Sequence, residues 1–318
     1  MQIMLNIAML AIGFVLLVQS ANFFVAASVG IARFLKIPPL IISLTVVAMG
    51  TSAPELVISV SAALSGSSNL AIANAAGSNL FNLLFIVGFC VMLHPISIKM
   101  ANISRDYWVS VAATIVLLLL VIIFAGSAIP RFGGRLFIAG FFVYMFFVVK
   151  GALRSRANGG GEEREDGTKQ RSLWQNIAIA IISVAVIVFS GKLTVSSAIN
   201  IAEILGVSER VIGLTIVSIG TSLPELVTTL IACRKKEGEF ALGLIIGSSI
   251  FNIMLVLGLA GAIMPLSVGD GVIFDVAVLT LGTLMFFVYA KSGQKLVRTE
   301  GLLMVFTYLV YMGFVVFQ

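Results

Sequence analysis

The chain has 318 residues, 59% of them hydrophobic and only 11% charged, with a formal net charge of +6 and a mean hydropathy of +1.13. Soluble domains carry about a quarter charged residues, so the composition excludes a soluble globular protein, a disordered chain, a collagen-like fibre and a disulfide scaffold. The basic excess does not point to nucleic acid, because Lys and Arg flank apolar runs, as they do in cytoplasmic loops of membrane proteins.

A membrane-spanning helix needs about 20 apolar residues, and ten apolar segments follow one another along the chain. The first covers 2–30; it lacks a basic leader and a small-residue cleavage site, and reads as a retained span. The next four lie near 39–64, 69–93, 107–125 and 135–152. A polar stretch from Gly151 to Ser172, with nine charged residues and Asn158-Gly-Gly-Gly, then reads as a flexible linker. The last five segments lie near 173–200, 209–233, 240–265, 271–290 and 300–317. With the N-terminus outside, 16 of the 20 basic residues fall in inside loops. That orientation puts both termini outside and the linker in the cytoplasm, in the cell (inner) membrane.

The chain repeats itself. Gly50-Thr-Ser-Ala-Pro-Glu-Leu-Val returns 170 residues later as Gly220-Thr-Ser-Leu-Pro-Glu-Leu-Val, and Gly77-Ser-Asn-Leu-Phe-Asn returns as Gly247-Ser-Ser-Ile-Phe-Asn. Residues 50–88 and 220–258 share 14 identities in 39 positions without a gap. Five spans separate equivalent points, and an odd number reverses direction across the membrane. The predicted fold is therefore an all-α polytopic membrane protein of ten transmembrane helices in two inverted-topology repeats, 1–152 and 173–318, joined by the linker 153–172.

Of the 14 carboxylates, Glu55 and Glu225 alone sit well inside apolar segments, at equivalent places in the repeat. A charge at mid-bilayer costs at least ~3 kcal/mol and normally faces a partner or a hydrated path. No Lys or Arg lies at comparable depth, so the pair reads as a cation site. Thr51 and Thr221 precede the glutamates by four residues and share their helix faces. Pro54 and Pro224 have no N–H, which frees the carbonyls of Gly50 and Gly220 and loosens those of Thr51 and Thr221. Ser78 with Asn82, and Ser248 with Asn252, add a second pair of polar faces, and Gly77 and Gly247 allow close helix approach. Oxygen donors without Cys or His favour Na⁺ and Ca²⁺ over zinc, copper or iron.

The doubled Gly-Thr-Ser-x-Pro-Glu and Gly-Ser-x-x-x-Asn motifs resemble the paired alpha-repeats of the sodium/calcium exchanger family, of the cation/Ca²⁺ antiporter superfamily, in a short prokaryotic-type form. The resemblance implies an electrogenic antiporter, not an enzyme, that exchanges Na⁺ for Ca²⁺ by alternating access and needs no cofactor. It implies Glu55 and Glu225 as ligands shared by both ions, with Thr51, Thr221, Ser78, Ser248 and the carbonyls of Ala48 and Ser218 around them, and Asn82 and Asn252 lining the middle. Some members carry Asp where Asn252 stands, in the branch that also uses K⁺. A H⁺- or K⁺-coupled exchanger is the alternative, and a cation channel a more distant one. A monomer suffices, because both half-sites lie in one chain.

Other residues read more plainly. Cys90 and Cys233 are expected to be small buried side chains without a disulfide, and His94 an interfacial residue. Asp106, Glu203 and Asp275 are expected to be solvated at segment ends, and the acidic linker residues to form a solvated charge run.

Overall fold

The computed structural model describes residues 2–66, 68–98, 100–157, 171–205, 218–269, 271–293 and 295–317. The first half contains α1 (Gln2–Leu35), α2 (Pro39–Thr51), α3 (Ala53–Leu64), α4, β1 (Ile96–Ser97), α5 (Met100–Ile123), β2 (Ala128–Ile129) and α6 (Arg131–Ala157). Here α4 joins Ser68–Leu80, a π-helical turn Phe81–Ile86 and Val87–Leu93. The second half contains α7 (Leu173–Ile204), α8 (Ser218–Thr221), α9 (Leu223–Arg234), α10, β3 (Leu266–Ser267), α11 (Val272–Gly293), β4 (Lys295–Leu296) and α12 (Arg298–Phe317). Helix α10 joins Gly238–Ile250, the π-helical turn Phe251–Val256 and Leu257–Ile263. Each of α4 and α10 widens into its π turn at the Phe of the Gly-Ser-x-x-Phe-Asn motif, so the repeat in sequence is a repeat in local backbone form.

Seven of these helices are long and apolar enough to cross a membrane, and an eighth span results if the bent pair α2 and α3 is counted as one. The segment expected at 209–233 ends in α9, while 209–217 lies outside the described residues, as does the linker from 158 to 170. The segment expected at 300–317 is α12. Among the spans, α10 is the most enclosed, with 94% of its apolar window buried, and α4 follows at 72%. Helices α1 and α6, at 22%, turn large apolar side chains such as Phe14, Phe142 and Phe146 outward, as a lipid-facing layer requires.

The two halves are interlocked. β1 pairs antiparallel with β4, and β2 with β3, so the loops after α4 and α10 each grip the loop before the last helix of the other half. Helix α12 then lies on α4, where a Cβ at Gly88 would come within 2.8 Å of the Gly301 carbonyl oxygen. Helix α6 lies on α10, where a Cβ at Gly134 would come within 2.4 Å of the Ala262 nitrogen. Long helices α1 and α7 pack along one another, with Asn6 and Asn200 in contact at 3.4 Å and Gly30 set against Asn176. Helix α1 is also tied to the turn after α9: Lys235 Nζ donates to the Asn22 carbonyl at 2.8 Å, and Arg33 lies 4.0 Å from Glu237.

Three expectations are corrected. Cys90 and Cys233 are buried as expected, but α4 and α9 cross there with Cα atoms 6.4 Å apart, and the two residues form a disulfide. Their separation of 143 residues carries no trace of that crossing. Asp106 is buried, with Arg105 Nη2 donating to it at 2.8 Å, and Asp275 is half-buried, accepting from the Tyr311 hydroxyl at 2.9 Å. Both lie near segment ends, but Asp106 is paired with its chain neighbour Arg105 on α5, and Asp275 meets Tyr311 of α12. The side chain of Glu203 lies outside the described residues. The disulfide makes a test of the topology. Cleavage at a protease site inserted between 158 and 170 should leave the two halves as one band without reductant and two with it; two bands without reductant would refute the pairing.

Candidate cation site

Two broken helices carry the central acidic residues. Helix α2 stops before Ser52 and α8 before Ser222, each with a backbone of about the same form, φ −85° and ψ 12° at the first and φ −90° and ψ 9° at the second. Pro54 and Pro224 lie in the first turn of α3 and α9 and have no N–H for the carbonyls of Gly50 and Gly220. The chain bends by 49° between α2 and α3. Each new helix opens with its glutamate in the first turn, where free N–H groups and the helix dipole favour negative charge.

Glu55 and Glu225 are fully buried, and the two motifs hold them crosswise. Ser52 Oγ donates to Glu225 Oε1 at 2.7 Å, and Ser222 Oγ donates to Glu55 Oε1 at 3.2 Å. The serine of each half thus grips the glutamate of the other. Each glutamate keeps its second oxygen, Oε2, buried without a partner, and neither pairs with Lys or Arg among the described residues. Two carboxylates so placed repel one another, and each leaves a strong buried acceptor unsatisfied.

The other expected residues divide. Thr51 is buried; its hydroxyl donates back to the carbonyl of Val47 at 3.2 Å and lies 3.3 Å from that of Ala48. The Ala48 carbonyl already accepts the Ser52 N–H at 3.0 Å. Thr221 is half-buried and has a partner. Ser218 lies in α8, with its side chain outside the described residues. Ser78 is buried, and Ser248 is buried with its hydroxyl unpartnered. Asn82 and Asn252 each occupy the second position of a π turn, both fully buried. Neither polar atom of the Asn82 amide has a partner, and Asn252 Oδ1 has none. Gly247 meets α2 closely, a Cβ there falling 2.5 Å from the Leu44 carbonyl oxygen, whereas one at Gly77 would meet no atom within 4 Å.

Sequence reasoning passed over several contributors. Ser52 and Ser222 stood inside the repeated motif, and their recurrence beside each glutamate was the available signal. Asn79 is buried between the halves. Thr228 and Thr229 on α9 are buried with unpartnered hydroxyls; Ile58 at the equivalent of Thr228 gave no sign of it, whereas Ser59 repeats the hydroxyl of Thr229. The crosswise grip predicts that Ser52→Ala, which strips Glu225 of its hydrogen bond, weakens Ca²⁺ uptake about tenfold by removing a buried charged hydrogen bond. Initial rates of ⁴⁵Ca²⁺ uptake in proteoliposomes measure this, and wild-type rates in Ser52→Ala would remove the grip from the account.

The sequence profile of the family described as sodium/calcium exchanger protein matches residues 5–150 and 175–317. The sodium/calcium exchanger MaX1 of Methanosarcina acetivorans is 31% identical over 351 residues, covering 98% of each chain. The inner membrane protein YrbG of Escherichia coli is 36% identical, covering 82% of this chain and 81% of its own. The sodium-calcium exchanger NCX_Mj, solved after soaking with 10 mM Na⁺ and zero Ca²⁺, superposes with a TM-score of 0.84 at 28% identity, covering 98% of this chain and 99% of its own. These matches, with the membrane-spanning helices, define an integral membrane antiporter of the cation/Ca²⁺ class. The chain belongs to the sodium/calcium exchanger family, in its short prokaryotic-type form, a family of transporters and not of enzymes.

Proposed function

We propose that the protein exchanges Na⁺ for Ca²⁺ by alternating access at a site centred on Glu55 and Glu225. The observation that carries this reading is the crosswise pair of fully buried glutamates, each with one oxygen held by a serine of the other half and one left without a partner. Two carboxylates balance one Ca²⁺ or two Na⁺ ions, so the two cations compete for the same charge. Thr51, Thr221, Ser78, Ser248, Asn82, Asn252 and the carbonyls of Ala48 and Ser218 complete the oxygen set in this reading. It requires no cofactor.

The same electrostatics explain exchange in place of free leakage. Emptied, the site leaves two mutually repelling carboxylates in a low-dielectric interior, which costs several kcal/mol. The occupied form therefore crosses between its two access states far more readily than the empty form. In the proposed frame ten spans form two inverted repeats, the termini lie outside, the linker faces the cytoplasm, and one chain in the cell membrane suffices. The relative YrbG, an inner membrane protein, supports that membrane.

Proteoliposomes preloaded with ⁴⁵Ca²⁺ test the coupling. Release should be fast into medium containing Na⁺ or unlabelled Ca²⁺ and fall to the leak rate when both are replaced by choline. Equal release into choline would indicate a channel and contradict exchange.

A further inference from the structure

Resting on that reading of the site, we propose that Asn79, which is not among the expected ligands, is a positioning residue that fixes which end of the Asn252 amide faces the cation. The geometry leaves one consistent assignment. The backbone carbonyl of Ser249 can only accept a hydrogen bond, and the Asn79 amide reaches it at 3.2 Å, so Asn79 turns its Nδ2 that way. Its Oδ1 must then face Asn252, at 3.1 Å, and only the Nδ2 of Asn252 can donate to it. With that nitrogen engaged, Asn252 presents Oδ1 as a buried acceptor without a partner. Reversing either amide would set oxygen against oxygen or N–H against N–H in a fully buried place. The relay thus runs from a backbone carbonyl through Asn79 to Asn252, and it delivers a ligand oxygen where an unoriented amide would present its N–H groups to a cation half the time.

The two halves are unlike here. Position 249 is the equivalent of Asn79 and holds Ser, whose hydroxyl bonds back to the Ile245 carbonyl at 2.9 Å. Asn82, the equivalent of Asn252, has neither amide atom engaged and so can turn either way. Asn79 crosses from α4 to α10 to make both of its contacts, so the orientation of a residue in the second half is set by the first.

A double-mutant cycle reads this role, using ⁴⁵Ca²⁺ equilibrium binding to purified protein in detergent alongside Na⁺-driven uptake. Asn79→Ala and Asn252→Ala should each raise the Ca²⁺ Kd about tenfold, in the range of orienting contacts in metal sites. The double variant should be no weaker than either single one within about twofold, because Asn79 acts only through Asn252. Turnover at saturating Ca²⁺ should change less than the Kd, which general damage to the helix contact would not produce. Asn79→Ser, made in the same cycle, keeps a polar group of smaller bulk but ends one atom short of Asn252; it should raise the Kd at least about threefold and carries the test if the alanine variant does not remain monodisperse. An unchanged Kd in both Asn79 variants, or additive losses near a hundredfold in the double variant, would overturn the proposal. Wild-type protein that binds Ca²⁺ with the predicted coupling but shows no Na⁺-driven uptake would overturn the exchange reading and leave the positioning role standing.

Discussion

Glu55→Gln and Glu225→Gln should each lower Na⁺-gradient-driven ⁴⁵Ca²⁺ uptake by about a hundredfold or more. Glutamine keeps the size and one carbonyl oxygen of the side chain but removes its charge, so the serine across the site retains an acceptor while the cation loses half of its balancing charge. Removing an outer contact of a metal site costs about ten- to a hundredfold in affinity, and in the proposed site these glutamates touch the ion itself. The substitutions should not disturb folding, because each replaces a buried charge by a neutral amide at a position without a salt bridge among the described residues. Size-exclusion profiles matching wild type, with uptake at background, are the expected result. Full uptake in either variant would remove that glutamate from the site.

The second large effect concerns the interlock. In Gly134→Ala the new Cβ would fall 2.4 Å from Ala262 N and Gly261 C and 2.6 Å from Gly258 O, all of them backbone atoms of α10. No rotamer change relieves such a clash, so α6 must move off α10, and overpacking of this kind costs about 1–3 kcal/mol or more. A drop of roughly 3–10 °C in the melting midpoint in detergent is expected. Gly313→Ala is the contrast: its Cβ would meet no atom within 4 Å, and in a helix alanine is favoured over glycine. Equal midpoints for the two variants would contradict the close packing of α6 on α10.

Much of this architecture was legible because the chain states it twice. The Pro-Glu motif located both helix breaks, since a missing N–H has the same local consequence wherever it occurs, and the structure breaks beside Ser52 and Ser222. The paired glutamates stood out because carboxylates are scarce in apolar segments. What escaped was set by contacts between elements far apart in sequence. The serine of one motif holding the glutamate of the other is a matter of how α3 and α9 face one another. The Cys90–Cys233 bond and the burial of Asp106 likewise depend on which helices cross, and a hydropathy pattern carries depth without carrying neighbours. The π turns at Phe81 and Phe251 left no mark in the apolar periodicity either, though they place Asn82 and Asn252 in the enclosed centre.

In the proposed exchange, an outward Na⁺ gradient drives Ca²⁺ through the Glu55/Glu225 site. Initial ⁴⁵Ca²⁺ uptake into wild-type proteoliposomes, recorded under equal imposed gradients of Na⁺, K⁺ and H⁺ with the membrane potential clamped, tests it most directly. Uptake should follow the outward Na⁺ gradient and stay at background under K⁺ or H⁺ alone. Uptake driven by K⁺ or H⁺, with no response to Na⁺, would contradict it.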